Sequence, residues 1–246
     1  MLSEPTLTSR TEDGHDLPLL HWRATRPLRA VSSGPLGGGI GLRNWVVNAT
    51  VPMSYRRDDP ADHLADLAVR LGLDGPGVGL LTGVDVTELV TAADGGVRVW
   101  ATVGLGIPVD AAAPAPSLDA AVPAQRDAAA PVPVESAARS GGGTPGHRVG
   151  TVNIVVLVPV RLADAALVNA VATATEAKTQ AIRDLGRPGT GTPTDAVTVL
   201  CPPDGPAEPY GGPRSRWGGR LARAVYAAVR AGADGQDVAW SDRYGH

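Results

Sequence analysis

A loop rich in glycine and threonine, GTGTPTD at residues 189–195, ends in Asp195 and leads into an apolar segment. It offers backbone N–H groups and hydroxyl groups from Gly189, Thr190, Gly191, Thr192 and Thr194. The loop lacks the Gly-Lys-Ser/Thr ending of a P-loop, so no lysine from it would reach a nucleotide phosphate. It is therefore either a binding loop on a rigid scaffold or an ordinary turn between a helix and a strand.

A second glycine cluster, SSGPLGGGIG at residues 32–41, does not have the spacing of a dinucleotide-binding loop. The hydroxyls of Ser32 and Ser33 and the bare backbone around Gly38 and Gly39 suit an oxyanion hole or a surface that binds amides. Glycines also serve simple turns, so both interpretations stay open.

A long predicted helix, about residues 163–185, places Lys178 on its apolar stripe. A desolvated lysine can act as a base or hold a carbonyl oxygen, although a lysine that extends to solvent is the commoner arrangement. Glu176 lies two positions away on the helix and therefore points in a different direction from Lys178, which favours a solvated position for Glu176. A joint role for the two side chains would need a third element.

Composition and charge exclude several classes of protein. The net charge of −3 gives no field that attracts nucleic acid, and the longest apolar run, residues 154–160, is too short to span a bilayer. The amino terminus has no signal-peptide pattern, and the single Cys201 suits a reducing compartment, so we expect a cytoplasmic protein. The five histidines show no metal-ligand spacing, so we expect no metal site.

The first half of the chain has the pattern of strands interrupted by one helix. Strands are predicted at 42–52, 77–90 and 96–105, with a hairpin between the last two. The intervening segment predicts an amphipathic helix with Asp59 as its cap and Pro60 as its first residue.

The second half predicts a strand, a helix and a strand in succession. The nearly continuous apolar strand at 151–160 is typical of a central position, and the strand at 195–201 completes a βαβ-like unit. A last helix at about 215–231 has one apolar face and one arginine-rich face. The fold class is therefore α/β (α+β), with a mixed sheet packed by amphipathic helices.

Residues 112–149 contain eleven alanines and six prolines and no aromatic residue. Such a segment cannot bury enough apolar surface to offset its ordering entropy, so it is predicted to be a disordered insertion. The chain is then one domain, 1–246, structured over about 15–111 and 150–232.

Seven stretches, taken in order, resemble the adenosylcobinamide amidohydrolase family. They are SSGPLGGGIG, VVNATVPMSYRRDDP, GVGLLTGVDV, ATVGLG, GTVNIVVLV, TATEAKTQA and GTGTPTDA. The resemblance implies hydrolysis of the amide that joins the aminopropanol arm to the corrin ring, in corrinoid salvage for coenzyme B12 synthesis. It implies that the corrinoid is the substrate and that no cofactor is needed. It implies nothing about the oligomeric state.

Within these stretches the reaction needs an activated water or a nucleophile, a proton donor and oxyanion stabilisation. The predicted catalytic residues are Lys178, Asp195, Glu176 and Thr151. The predicted substrate-binding residues are Ser32, Ser33, Gly38, Gly39, Thr82, Asp85, Asn153, Gly191, Thr192 and Thr194.

Other functions remain open on the sequence alone. The Gly-Thr step that opens the apolar strand is similar to the self-cleavage point of enzymes with an amino-terminal nucleophile, which would make Thr151 the nucleophile. A corrinoid-binding module without hydrolysis, a structural α/β protein, and an amidase for a different substrate are the further alternatives.

Overall fold

The computed structural model describes residues 1–52, 54–113 and 150–233. Within these ranges eight strands form one mixed sheet, and three α-helices pack against it. The strands are β1 (Thr6–Glu12), β2 (His15–Ser32), β3 (Gly39–Thr50), β4 (Gly77–Thr82), β5 (Val90–Asp94), β6 (Val97–Leu105), β7 (Gly150–Leu157) and β8 (Ala196–Cys201). The helices are α1 (Pro60–Arg70), α2 (Asp164–Asp184) and α3 (Arg216–Ala233). The predicted α/β class is confirmed, whereas the predicted insertion lies outside the described residues from 114 onward.

The strand order is β4-β3-β2-β8-β7-β6-β5, with β1 paired to β2. The predicted β7–α2–β8 unit is confirmed, because β7 and β8 pair in parallel and β7 lies between β8 and β6. Along β7, Val152, Ile154 and Val156 belong to the core under α2 and α3. The alternating residues Thr151 and Asn153 therefore lie on the opposite face of the sheet.

No strand was predicted before residue 42, yet the 18-residue β2 lies near the centre of the sheet. It pairs with β1, β3 and β8, and its register with β3 shifts between Arg23 and Leu28. Arg26 and Pro27 at this shift interrupt the apolar alternation on which the sequence prediction depended. Long-range pairing, rather than local propensity, makes this segment a strand.

The prediction of one continuous strand over 77–90 is wrong. The chain leaves the sheet after Thr82 and forms a short 3-10 helix at Val86–Glu88, where the buried Asp85 accepts a 2.9 Å hydrogen bond from Thr87 N–H. β4 pairs in parallel with β3, and β5 forms the predicted hairpin with β6.

Helix α1 begins at Pro60, as predicted, but Asp59 makes no capping hydrogen bond. Its carboxylate instead accepts two hydrogen bonds from Arg57, at 2.7 and 2.6 Å. Leu64 and Leu67 are buried against the sheet, which confirms the predicted apolar face.

Helices α2 and α3 cover the other end of the sheet and contact each other. Lys178, which the sequence places on the apolar stripe of α2, is buried, and α3 buries Trp217 and Leu221 beneath its arginine face. Thr173, three positions before Glu176 on α2, is buried and donates a 2.9 Å hydrogen bond to the carbonyl of Gly211. None of the helices in the described ranges is long and apolar enough to cross a membrane.

The sheet is strongly curved. Strands β3 and β7 are separated by β2 and β8, yet Asn153 Nδ2 lies 2.9 Å from Asn48 Oδ1. Trp22 of β2 and Trp100 of β6 are also in edge-to-face contact, with ring centroids 6.1 Å apart. The concave face therefore brings polar residues from distant strands together, which is what a binding site requires.

Candidate active site

A cavity of about 360 Å³ opens at one end of this concave face. It lies where β3 and β4 end and where β7 and β8 begin, so two parallel strand pairs present opposite ends to it. The residues that line it are Pro35, Val51, Tyr55, Pro60, Leu81, Thr82, Gly83, Thr151, Asn153, Thr194 and Ala196. Mostly apolar walls with a few polar groups are the usual composition of a small-molecule site.

Two hydroxyl groups face each other in this cavity. Thr151 Oγ1 and Thr194 Oγ1 are 2.6 Å apart, and Thr194 Oγ1 is also 3.2 Å from the carbonyl oxygen of Gly150. Either hydroxyl can be the donor of the shorter contact: if Thr194 donates to the carbonyl of Gly150, Thr151 donates to Thr194, whereas if Thr194 donates to Thr151, the proton of Thr151 is left for a ligand. The arrangement can therefore supply a hydrogen-bond donor to the cavity.

Asn153 supplies the complementary acceptor. Its Nδ2 donates to Asn48 Oδ1 and to the carbonyl of Leu81, both at 2.9 Å, and these two acceptors fix the orientation of the amide. Asn48 is held in turn by a 3.1 Å hydrogen bond to Thr102. Asn153 Oδ1 is buried and has no hydrogen-bond partner among the described residues. A buried acceptor without a donor is costly, so a ligand N–H group would be stabilising there.

Lys178 and Asp195 form a buried ion pair directly behind β7, with side chains that are 7% and 12% exposed. Asp195 Oδ1 accepts from Val152 N–H at 2.8 Å and from the hydroxyl of Thr192 at 2.5 Å. Its Oδ2 accepts from Thr192 N–H at 3.0 Å and from Lys178 Nζ. The carboxylate is thus committed to four donors, and it anchors the 189–195 loop to the strand that contains Thr151.

The glycine and threonine content of this loop follows from its packing. A side chain at Gly191 would collide with Lys178 Nζ and Asp195 Oδ2. Val109, on the segment after β6, donates to the carbonyl of Gly191 at 2.9 Å and accepts from Thr190 N–H at 2.8 Å. The loop therefore encloses the ion pair and presents Thr194 to the cavity. Lys178 is also the only lysine in the sequence.

The other glycine cluster lies away from the cavity, except for Pro35, which is one of the lining residues. Ser32 Oγ is 2.9 Å from Thr198 Oγ1, and Ser33 Oγ accepts from Val197 N–H at 3.0 Å, so both hydroxyls join β2 to β8. Gly38 and Gly39 do not line the cavity. In this structure the cluster shapes a turn and holds the wall that contains Pro35.

Of the remaining predicted residues, Thr82 lines the cavity and its hydroxyl accepts from Val84 N–H at 3.0 Å. Asp85 holds the 3-10 turn through Thr87 instead. Glu176 is exposed on α2 and lines a separate cavity between α2 and α3.

A line of hydrogen bonds that no sequence pattern indicated ends at this cavity. Tyr55 Oη is 3.0 Å from His63 Nδ1, and His63 Nε2 is 3.0 Å from Glu12 Oε1. Arg10 Nε lies 3.1 Å from the other Glu12 oxygen. Tyr55 stands within the family-like stretch VVNATVPMSYRRDDP, but its partners come from α1 and β1, which the sequence does not bring together.

The net pKa shifts of the two acidic groups of this line have opposite signs, although burial acts in the same direction on both. Burial raises the pKa of the Tyr55 hydroxyl. Burial also acts to raise the pKa of Glu12, but the hydrogen bond from His63 and the charge of Arg10 outweigh it and leave that pKa below its usual value. Glu12 is therefore a carboxylate and Tyr55 a neutral phenol at neutral pH.

Within the described ranges, no three His, Cys, Asp or Glu side chains come together in a way that could hold a metal ion. The polar groups of the cavity are hydroxyls and amides, which are suited to a neutral, amide-bearing ligand.

Comparison with known proteins gives a consistent result. A family model described as adenosylcobinamide amidohydrolase matches residues 4–239. An adenosylcobinamide amidohydrolase of Methanosarcina mazei is 28% identical over 214 residues, which cover 83% of this chain and 90% of that protein. One of Halobacterium salinarum is 34% identical over 213 residues, which cover 83% of this chain and 80% of that protein. The family match includes every strand and helix described above and every residue of the cavity.

Proposed function

This chain belongs to the adenosylcobinamide amidohydrolase family, and we propose that it hydrolyses the amide that joins the aminopropanol arm of adenosylcobinamide to the corrin ring. The products are adenosylcobyric acid and 1-aminopropan-2-ol. Adenosylcobyric acid can re-enter coenzyme B12 synthesis, so the reaction salvages an incomplete corrinoid. Hydrolysis consumes only water, so we expect no requirement for a nucleotide or a reductant.

The observation that carries this proposal is the pairing of a donor and an acceptor on one face of β7. Thr151 can donate to a carbonyl oxygen, and Asn153 Oδ1 has no donor among the described residues. An amide presents the two complementary groups, a carbonyl oxygen and an N–H. A buried site whose polar groups complete the hydrogen bonds of its substrate rejects analogues that lack them.

The size of the cavity indicates which part of the substrate enters it. At about 360 Å³ it is near the lower limit for small-molecule sites, which span roughly 300–1,000 Å³. That volume suits the aminopropanol arm and its amide, whereas the corrin ring stays outside, against the rim of the cavity. Substrate specificity then depends on contacts both inside the cavity and at the rim.

Attack of water on the amide carbon turns its carbonyl oxygen into an oxyanion. We assign the stabilisation of this charge to the Thr151 hydroxyl, because hydrogen-bond donors in a water-poor site act strongly on developing charge. The Lys178–Asp195 pair does not line the cavity; it fixes β7 and the 189–195 loop, and so the positions of Thr151 and Thr194. Its contribution to the reaction is positional.

The test of the proposed function is to incubate the purified protein with adenosylcobinamide and to identify the products by mass. We expect adenosylcobyric acid and 1-aminopropan-2-ol in equal amounts, with no added nucleotide or metal. A protein that binds the corrinoid and is stabilised by it, yet releases no amine, is a binding module and not a hydrolase.

We expect the chain to remain intact at Gly150–Thr151. Gly150 pairs with Leu105 and Thr151 with Gly104 in the sheet, so both residues serve as strand residues. Intact-mass measurement of the active protein should give the full-length mass. Two fragments separated between these residues would make Thr151 an amino-terminal nucleophile and replace the water mechanism.

A further inference from the structure

Tyr55 lies between the cavity that contains Thr151 and a second cavity, of about 350 Å³, that contains His63 and Glu12. Of the described residues that line the first cavity, Tyr55 is the one whose side chain ionises. Amide hydrolysis requires a group that takes a proton from water and gives one to the departing nitrogen. Tyr55 is therefore the group in this wall that can exchange protons.

The hydrogen bonds behind Tyr55 have a defined direction. The Glu12 carboxylate only accepts hydrogen bonds, so His63 Nε2 carries the hydrogen of their 3.0 Å contact. In a neutral imidazole Nδ1 is then an acceptor, and the Tyr55 hydroxyl donates to it across 3.0 Å. Carboxylate, imidazole and hydroxyl follow one another as in a Ser-His-Asp triad, with tyrosine in the place of serine.

Burial supports this arrangement. His63 is 4% exposed and Glu12 is 20% exposed. An imidazolium formed at His63 is therefore paired with the Glu12 carboxylate rather than solvated. Arg10 holds the far oxygen of Glu12. A charge-assisted hydrogen bond in such surroundings is about twice as strong as a neutral one.

We propose that Tyr55 is the acid–base residue of the reaction, and that His63 and Glu12 are positioning residues that accept and return its proton; this inference rests on the proposed function. As water attacks the carbonyl carbon, its proton passes to Tyr55 Oη while the Tyr55 proton moves to His63 Nδ1. Glu12 stabilises the resulting imidazolium. When the C–N bond breaks, the proton returns by the same route to the nitrogen of the leaving amine. One water is consumed, and the protein ends with the protons it began with.

The first test is Tyr55→Phe, which removes the hydroxyl and keeps the ring. We expect kcat to fall by on the order of 10²-fold or more, the usual contribution of a general acid–base group. KM should change little, because the hydroxyl acts on the proton in the transition state and not on substrate binding. The matched control is Tyr226→Phe: this hydroxyl is 3.1 Å from Asp184 Oδ2, outside the cavity, and its loss should leave kcat unchanged.

The second test separates a relay from a structural role. Glu12→Gln should lower kcat by about tenfold in the wild type and cause no further loss in Tyr55→Phe, since residues that act as one unit are not additive. If Glu12 only supported the fold, its substitution would lower kcat by the same factor in both backgrounds. Thermal melting of each variant shows that the comparison is made on folded protein.

The outcomes distinguish the relay from the proposed function. A wild type that hydrolyses adenosylcobinamide while Tyr55→Phe retains full kcat overturns the relay and leaves the proposed function standing. Equal Glu12→Gln effects in the two backgrounds overturn the roles of His63 and Glu12. A wild type that leaves the substrate unchanged overturns the proposed function and the relay with it.

Discussion

Lys178→Met should lower the free energy of unfolding by about 3–5 kcal/mol, because removing one partner of a buried pair leaves the other charge uncompensated. The lysine and Asp195 are 7% and 12% exposed, and methionine keeps most of the length of the stem while it removes the charge. Asp195 would retain Val152 and Thr192 as donors but lose its cation. Chemical denaturation of the two proteins measures the difference directly.

The matched control is Arg26→Met. Arg26 pairs with Asp204 at 3.2 Å, but these side chains are 56% and 76% exposed. Exposed pairs typically contribute about 0–1 kcal/mol, so this variant should unfold close to the wild type. A Lys178→Met protein as stable as the control would contradict the buried pair and its role as the anchor of the 189–195 loop.

Thr151→Val should lower kcat by about 10²–10³-fold, the cost of removing one donor from an oxyanion site. Valine has nearly the shape of threonine, and Thr194 retains the carbonyl of Gly150 as an acceptor, so the fold should be preserved. KM should change less than kcat, since the hydrogen bond strengthens as charge develops on the carbonyl oxygen. Steady-state kinetics on adenosylcobinamide give both values.

Two further variants make this result specific. Thr151→Ser keeps the hydroxyl and should retain most of the activity. Thr198→Val removes a buried hydroxyl of β8 that contacts Ser32 outside the cavity, so its kcat should stay near that of the wild type. Equal losses in Thr151→Val and Thr198→Val would mean that the hydroxyls support the sheet and not the reaction.

The parts of the fold that local patterns determine were predictable from the sequence. The apolar run of β7, the amphipathic α2 and the following strand gave the βαβ unit and its place in the sheet. β2 could not be predicted in this way, because Arg26 and Pro27 interrupt its pattern and its burial comes from three partner strands. The end of β4 at Thr82 could not be predicted for the opposite reason, because apolar residues continue in the sequence after the strand has ended.

The residues of the candidate site likewise divide into those that local sequence patterns indicated and those that they did not. Thr151, Asn153 and Thr194 lie in segments whose chemistry marked them, and the parallel pairing of β7 with β8 brings them together. The hydrogen bonds from Asn153 to Asn48 and from His63 to Glu12 join residues 105 and 51 positions apart. Such contacts depend on the curvature of the sheet and on the placement of α1, which no local pattern contains. The same holds for Asp195, whose four hydrogen bonds show an anchoring role that its residue type alone did not indicate.

The most direct test of the central claim is hydrolysis of adenosylcobinamide in water enriched in oxygen-18. The account predicts adenosylcobyric acid that carries one labelled oxygen in its new carboxylate, together with unlabelled 1-aminopropan-2-ol, while every other amide of the corrinoid stays intact. Recovery of unchanged adenosylcobinamide, or of a labelled corrinoid that still bears the aminopropanol arm, would contradict it.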